Sequence, residues 1–287
     1  MKIDIYTHVL PPKYKETILQ IGPPDTFWKR SFVSFAPMLS DMEVRFQLMD
    51  KHDGLMQVLT LGSPAVEDIA DPVKAVDLAK LANDGMAELV AKYPDRFAAA
   101  VACLPMNNVE AALAEADRAI TELGFKGVQI TSPIMDKPLD SPEFMPLYEK
   151  MSQHDLPIWI HPRRGADFAD CRGLDVSMYQ IHGIFGWPYD TTVAMTHLVC
   201  SGVFDRLPNL KIITHHAGGM VPFYADRITG FYNKLEKTSA PDFLKRLTKA
   251  PIEYFKMFYA DTALYGWTPG LMCAHAFFGA DRMLFGT

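Results

Sequence analysis

Histidine and aspartate residues stand at the ends of several short apolar runs of this sequence. His8, His161 and the adjacent pair His215 and His216 each close such a run, and Asp261 follows another. If the runs are parallel strands of one barrel, their carboxyl ends meet at one rim, where these side chains would gather. Imidazole and carboxylate groups suit zinc, manganese or iron better than magnesium or calcium. The pattern therefore predicts a site for one divalent transition metal. Ligand type does not choose among the three, and we expect zinc, with manganese or iron as alternatives.

Each of these residues also has a structural interpretation. Tyr6 lies two residues before the first histidine and shares its face of the strand, but a neutral phenol is a poor metal ligand. His161 precedes a proline and could simply end a strand. His215 and His216 are adjacent, so at most one of them should point inward. Asp261 could instead cap the helix that follows it.

The elements that must position these residues form an alternating pattern. Helical patterns, such as the one that starts with Asp71 and a proline and continues to Lys92, lie between apolar runs rich in β-branched residues. This alternation favours a (β/α)8 TIM barrel, with a doubly wound open sheet as the competing architecture. The eight runs are Ile3 to Val9, Leu55 to Leu61, Phe97 to Leu104, Gly127 to Ser132, Pro157 to His161, Leu210 to His215, Phe255 to Ala260 and Arg282 to Gly286.

The segment from Ile21 to Ser40 is too long and aromatic for an ordinary connection between a strand and a helix. Because it follows the first strand, we expect a lid-like insertion over the mouth of the barrel. No stretch resembles a linker between two halves. We therefore expect residues 1–287 to form one barrel domain.

Composition excludes several classes of function. The formal net charge is -6, and the basic residues are scattered, which argues against nucleic acid as a partner. No segment approaches the ~18 consecutive apolar residues that a membrane span needs, and no basic leader precedes an apolar core. The four cysteines are widely separated and contain no Cys-x-x-Cys motif. We expect a cytoplasmic protein with reduced thiols and no membrane partner.

Taken together, several segments resemble the amidohydrolase superfamily over essentially the whole chain. Within it they resemble the branch of aminocarboxymuconate-semialdehyde decarboxylase and the aromatic-acid decarboxylases that act on γ-resorcylate and 5-carboxyvanillate. The segments that carry the resemblance are Ile3 to Pro11, Glu43 to Asp50, Ile158 to Pro162, Gly202 to Lys211, His216 to Phe223 and Leu284 to Thr287.

The resemblance implies a role for individual residues. Tyr6 and His8 occupy the positions of a first-strand metal-ligand pair that is usually His-x-His or Glu-x-His, so Tyr6 departs from the family. His161 matches the ligand on strand five. His216 matches a catalytic imidazole beside the substrate and the metal-bound water. The family's last ligand is an Asp directly after Gly-Thr, and the sequence given ends at Thr287, so this Asp and the final helix are absent from the sequence given.

Two arginines also have counterparts in the family. Arg45 matches a residue that contacts the substrate carboxylate, and Arg227 resembles one that reaches into the neighbouring subunit's site. The resemblance therefore implies a small carboxylic acid as substrate and a homodimer or higher homo-oligomer.

The resulting functional prediction is a metal-dependent, non-oxidative decarboxylase of a small aromatic or conjugated carboxylic acid. Imidazole titrates near neutral pH, which suits His216 for proton delivery. Hydrolysis of a lactone, ester or amide by metal-activated water is the alternative, because it uses the same rim residues. A catalytically weakened barrel that binds a ligand or partner is the third possibility, and Tyr6 prompts it.

Overall fold

The computed structural model describes residues 1–21 and 36–287. Most of the predicted insertion at 21–40 therefore lies outside the described residues. The chain divides into two compact units, one of residues 1–130 with Gly286 and one of residues 131–285 with Thr287. The expectation of a single domain over 1–287 stays a prediction. Among the described residues, none of the helices combines the length and the apolar character that crossing a membrane requires.

The first unit alternates strands and helices. Strands β1, β2 and β3 form a parallel sheet in that order, and β4 pairs with β5 in parallel. The elements are β1 (Lys2–Val9), α1 (Pro12–Gln20), a 3-10 turn (Pro37–Leu39), α2 (Met42–Met49), β2 (Leu55–Leu61), α3 (Val66–Ile69), α4 (Pro72–Lys92), β3 (Phe97–Ala100), β4 (Ala102–Cys103) and α5 (Val109–Thr121), followed by β5 (Val128–Ser132), whose last two residues belong to the second unit.

The N-terminal capping of helix α4 explains why the sequence predicted where this helix begins. The Asp71 side chain accepts hydrogen bonds from the backbone N–H groups of Val73 and Lys74, and Pro72 occupies the first turn. Both features satisfy or remove N–H groups that the helix cannot bond internally. The predicted helix of residues 71–92 is confirmed.

The second unit continues the same alternation, and β6, β7 and β8 pair in parallel. Its elements are a 3-10 turn (Pro142–Phe144), α6 (Met145–His154), β6 (Ile158–Pro162), a π-helical turn (His182–Gly186), α7 (Trp187–Ser201), α8 (Val203–Arg206), β7 (Ile212–Thr214), a 3-10 turn (His216–Gly218), α9 (Ala225–Ser239), α10 (Asp242–Arg246), α11 (Pro251–Phe255), β8 (Tyr259–Ala260), α12 (Thr268–Phe278) and a 3-10 turn (Ala280–Arg282).

Three predicted strands differ clearly from the observed ones. The run from Phe255 to Ala260 is a strand only in β8 (Tyr259–Ala260), because Phe255 ends helix α11 (Pro251–Phe255). The run from Phe97 to Leu104 forms two strands because it changes partner at Val101, whose N–H donates to the Leu59 carbonyl, while the next N–H donates to Gly127. The run from Arg282 to Gly286 makes a single bridge, between Met283 and Ala260, instead of a strand. The α/β class with parallel strands is as predicted.

Candidate active site

His8 is the half-buried last residue but one of β1, and a residue of β2 contacts its ring. Its register partner is Thr60, and the Thr60 hydroxyl oxygen lies 3.0 Å from His8 Nδ1. When this hydroxyl accepts the Nδ1 proton, the lone pair of the neutral ring lies on Nε2. The fully buried Tyr6 ring packs edge-on against His8, with centroids 5.6 Å apart. The role of Tyr6 as a metal ligand stays a prediction.

Arg45 lies on α2, and only 5% of it is exposed. It donates from Nε to the Met38 carbonyl at 3.0 Å, from one terminal nitrogen to Gln57 Oε1 at 2.8 Å and from the other to the His8 carbonyl. Burial lowers the pKa of Arg45 to about 10, although the Asp4 carboxylate opposes the shift. Its predicted contact with a substrate carboxylate stays a prediction.

His161 is buried near the end of β6, and its tautomer follows from its partner. Its Nδ1 lies 2.7 Å from the carbonyl oxygen of Pro162. A carbonyl can only accept, so Nδ1 carries the proton and the lone pair lies on Nε2. Metals bind the unprotonated nitrogen of a neutral imidazole, which in this tautomer is Nε2.

His215 is positioned by Asp261 just beyond β7. Its Nδ1 is hydrogen-bonded to Oδ2 of Asp261, while Oδ1 accepts from the N–H groups of Ala217 at 2.9 Å and Ala263 at 3.1 Å. Burial acts to raise the pKa of Asp261, but the His215 ring and these donors outweigh it, so that the pKa lies below its ordinary value. Asp261 therefore orients His215 and anchors two loops.

His216 does not point to the opposite side from His215, contrary to the expectation from strand alternation. Strand β7 ends at Thr214, and His216 has a positive φ of 54°, so the two-residue alternation no longer applies. The two rings lie 4.2 Å apart between centroids, and the His216 ring stacks on Trp187 at 5.9 Å with an interplanar angle of 21°. Its catalytic role stays a prediction.

Trp187 is fixed at the first turn of α7 by the loop that follows β6. Its indole N–H donates to the Arg164 carbonyl at 2.8 Å, and the Arg164 guanidinium pairs with the Asp190 carboxylate at 2.8 Å. The ring also lies 6.4 Å from the His161 ring. The sequence did not identify these contacts that hold Trp187, although arginine, aspartate and tryptophan residues cluster between 163 and 190.

The contact of Thr60 with His8 was also missed from the sequence. The signal for it is a hydroxyl side chain near the end of an otherwise apolar strand.

Arg227 is exposed on α9, and its guanidinium lies 4.8 Å from the ring centroid of Phe231 one turn later. Helix α9, all of which the structure describes, buries none of its side chains. Phe223, Phe231 and Leu235 are exposed on or beside this helix. The predicted reach of Arg227 into a neighbouring subunit stays a prediction.

Among the residues described, His8, His161 and His215 form a group that could hold a metal ion. Each offers one ring nitrogen, and these nitrogens lie within 4.8 Å of one another. The donor set fits a divalent transition metal, because all three rings have Nδ1 hydrogen-bonded to an oxygen, and a ring whose Nδ1 carries the proton offers Nε2 as the basic nitrogen. Two members, His8 and His161, were predicted as ligands; the third is His215.

Several known proteins match this chain over most of its length. An amidohydrolase family model matches residues 3–287. The chain is 35% identical over 257 residues to a γ-resorcylate decarboxylase of Polaromonas sp., covering 87% of this chain and 77% of that protein. It is 31% identical over 286 residues to a 2-amino-3-carboxymuconate-6-semialdehyde decarboxylase of Dictyostelium discoideum, covering 92% and 75%.

A solved structure is similar in fold as well. A dihydroxybenzoic acid decarboxylase from Polaromonas sp., with bound manganese and the inhibitor 2-nitroresorcinol, has a TM-score of 0.83 at 31% identity, covering 100% of this chain and 85% of that one. The chain belongs to the amidohydrolase family. The resemblance to its decarboxylase branch and the α/β barrel fold are both confirmed.

Proposed function

We propose that this chain is a metal-dependent, non-oxidative decarboxylase of a small aromatic carboxylic acid. The observation that carries the proposal is the set of three imidazoles, each with Nδ1 bonded to an oxygen. The relatives named as decarboxylases of γ-resorcylate and of a carboxymuconate semialdehyde support the reaction class. Hydroxybenzoic acids with a hydroxyl beside the carboxyl group are the first substrates to test.

His8, His161 and His215 would hold the metal ion. When bound, a divalent ion would act as a Lewis acid that stabilises negative charge on the substrate carboxylate. Manganese is our first choice, because the similar decarboxylase from Polaromonas contains it. Zinc, the metal expected from the sequence, is the second choice, since imidazole accommodates both.

His216 would supply the proton. Loss of carbon dioxide leaves the electron pair of the broken C–C bond on a ring carbon, and protonating that carbon first avoids a carbanion. Imidazole can deliver this proton near neutral pH. The stacked Trp187 ring would hold the imidazole at a fixed angle, and its own N–H is anchored on the Arg164 carbonyl. The ring carbon gains one proton, and the carboxylate leaves as carbon dioxide.

A second copy of this chain is the partner we propose for α9. Phe223, Phe231 and Leu235 are exposed there, and an apolar face of this kind is typical of an interface. Arg227 on the same helix would then reach the neighbouring site. Light scattering of the purified chain should give the mass of a dimer or larger assembly. A strictly monomeric protein with full activity would contradict this arrangement.

Metal content is the first test of the site. We expect protein purified without chelator to retain one manganese or zinc ion per chain, and His161→Ala to lose both metal and turnover. His52→Ala is the matched control, because His52 is exposed and outside the metal-binding group. Retention of metal and activity by His161→Ala would refute the assigned site.

Product analysis separates the reaction classes. Metal-loaded protein should release carbon dioxide from 2,6-dihydroxybenzoate or a related acid in step with loss of the substrate. Cleavage of a lactone, ester or amide without carbon dioxide would favour the hydrolase, the alternative reading of the same residues. Absence of metal and of both activities, even after metal is added, would favour a binding protein.

A further inference from the structure

The ion pair between Asp190 and Arg164 joins helix α7 to the loop that follows β6. The Nε–H group of Arg164 donates to both carboxylate oxygens of Asp190 at 3.2 Å, and a terminal nitrogen donates to Oδ1 at 2.8 Å. The Asp190 side chain is 10% exposed and the Arg164 side chain 16%. Because the guanidinium meets the carboxylate with two of its nitrogens, Asp190 holds it at one place and one angle.

The aliphatic stem of Arg164 runs across the backbone of Gly186, the residue before α7. A Cβ atom at Gly186 would lie 2.3 Å from Cδ of Arg164 and 3.0 Å from its Nε, so only glycine leaves room for the stem in this position. The guanidinium carbon also lies 4.0 Å from the ring centroid of Phe168. The carboxylate, the glycine and the aromatic ring together fix the conformation of this arginine.

The backbone of the same arginine anchors Trp187. The Arg164 carbonyl accepts the indole N–H at 2.8 Å. Trp187 and Asp190 are three residues apart in the first turn of α7, so they lie on one face of the helix. Arg164 therefore holds this face twice, with its side chain at Asp190 and with its carbonyl at Trp187. Loss of the ion pair would loosen the carbonyl that positions the indole ring.

The start of α7 also contacts the segment that carries His216. The Met220 N–H donates to the Thr192 hydroxyl at 2.8 Å. A Cβ atom at Gly219 would lie 2.5 Å from the Pro188 carbonyl oxygen, so the backbone of this segment closely approaches α7. The His216 ring itself stacks on the indole. Helix α7 thus positions both the ring of His216 and the backbone that follows it.

We propose that Asp190 is a positioning residue for His216. Through Arg164 it fixes the indole of Trp187, and the stacked indole sets the angle at which the His216 imidazole meets the substrate carbon. The inference rests on the proposed function, in which His216 supplies the proton. Proton transfer depends steeply on geometry, since a displacement of ~1 Å can cost about 100-fold in rate. A purely structural ion pair would affect the stability of the protein and leave the chemistry of the folded state unchanged.

The first measurement follows the stacked rings without using activity. Protein with isotope-labelled histidine is purified from medium supplied with zinc, which is diamagnetic. The Cε1–H resonance of His216 is identified by its loss in His216→Gln, and Trp187→Ala gives its position without the indole ring current. We expect Asp190→Asn to move this resonance towards its position in Trp187→Ala.

The matched control is Asp136→Asn. It removes the carboxylate that pairs with Arg163, the residue next to Arg164, and the Asp136 side chain is 93% exposed. This substitution breaks an ion pair of the same kind at the surface of the same unit. It should leave the His216 resonance and the rate of decarboxylation unchanged.

The second measurement is steady-state kinetics with 2,6-dihydroxybenzoate at saturating manganese. Asp190→Asn should lower kcat by about 10-fold and change KM by less than about threefold, because the proton is delivered from a poorer angle while the substrate still binds. The solvent deuterium isotope effect on kcat should rise, because proton transfer then limits the rate more fully. Arg164→Lys keeps a cation beside Asp190 and should lose less activity than Asp190→Asn.

Two outcomes would overturn the proposal. An unchanged His216 resonance in Asp190→Asn would show that the ion pair contributes only to stability, which thermal unfolding would report. A moved resonance with wild-type kcat would show that the angle of the ring does not govern proton transfer. If Asp190→Asn does not fold, the same two measurements on Arg164→Lys decide.

These outcomes keep the inference apart from the function itself. Wild-type protein that releases no carbon dioxide from any hydroxybenzoic acid would refute the decarboxylase. The His216 resonance would still decide whether Asp190 positions this ring.

Discussion

Replacing Asp261 by Asn should switch the tautomer of His215. Oδ1 of Asp261 accepts from two backbone N–H groups, those of Ala217 and Ala263, so an asparagine must place its oxygen there. Its NH₂ group would then face His215 Nδ1, where the carboxylate oxygen now accepts. Because an amide NH₂ can only donate, Nδ1 must become the acceptor and the ring proton must move to Nε2.

The size of the effect follows from the bonds exchanged. A hydrogen bond to a charged group contributes ~1.5–3 kcal/mol, and loss of a residue that orients a metal ligand weakens metal binding by about 10- to 100-fold. This range corresponds to ~1.4–2.7 kcal/mol of binding free energy. We therefore expect Asp261→Asn to weaken metal binding by 10- to 100-fold (~1.4–2.7 kcal/mol), while the two backbone bonds keep the loops in place.

The assay is competition with a chelator of known affinity, with the thermal unfolding of the metal-free protein as a control for folding. His215→Ala and the double variant complete a cycle. If Asp261 acts through His215, the double variant should bind metal no more weakly than His215→Ala. Unchanged metal affinity in Asp261→Asn, or fully additive losses in the cycle, would refute the reasoning.

Three further substitutions test separate parts of the structure. Thr60→Val removes the oxygen bonded to His8 and should weaken metal binding about tenfold, whereas Thr60→Ser should not; equal affinities in a chelator titration would contradict this role. Tyr6→Phe should retain the full metal content by mass spectrometry, since a phenol of pKa ~10 is neutral near pH 7; loss of the metal would make Tyr6 a ligand. Arg118→Met should lower the free energy of unfolding in urea by ~3 kcal/mol, because the Glu115 carboxylate, whose side chain is 1% exposed, would lose its charged partner and keep the Asn83 amide as a donor; an unchanged midpoint would show that the pair contributes little.

Local patterns made much of the framework predictable. Strand β2 occupies the residues that its apolar run indicated, Leu55–Leu61, and His161 lies near the end of its strand as expected. Hydrophobic periodicity and helix capping depend on residues that are close in sequence, so they can be recognised before the fold is known. The carboxyl ends of the strands of a parallel barrel lie at one rim, and this rule predicted that His8 and His161 lie close together.

Long-range contacts explain what the sequence could not show. His215 belongs to the metal-binding group, and its ring is oriented by Asp261, which lies 46 residues away in the chain. The positive φ of His216 removes the alternation on which the prediction rested. The bonds of Arg45 to Met38, Gln57 and His8 likewise join distant segments, and no local pattern encodes them.

The most direct test of the proposed function is decarboxylation in heavy water. Protein loaded with manganese and given 2,6-dihydroxybenzoate should release one carbon dioxide per substrate, and the product should carry one deuterium at the carbon that lost the carboxyl group. A chelator should stop the reaction, and added manganese should restore it. Intact substrate across a panel of hydroxybenzoic acids, with the metal shown to be bound, would contradict the account.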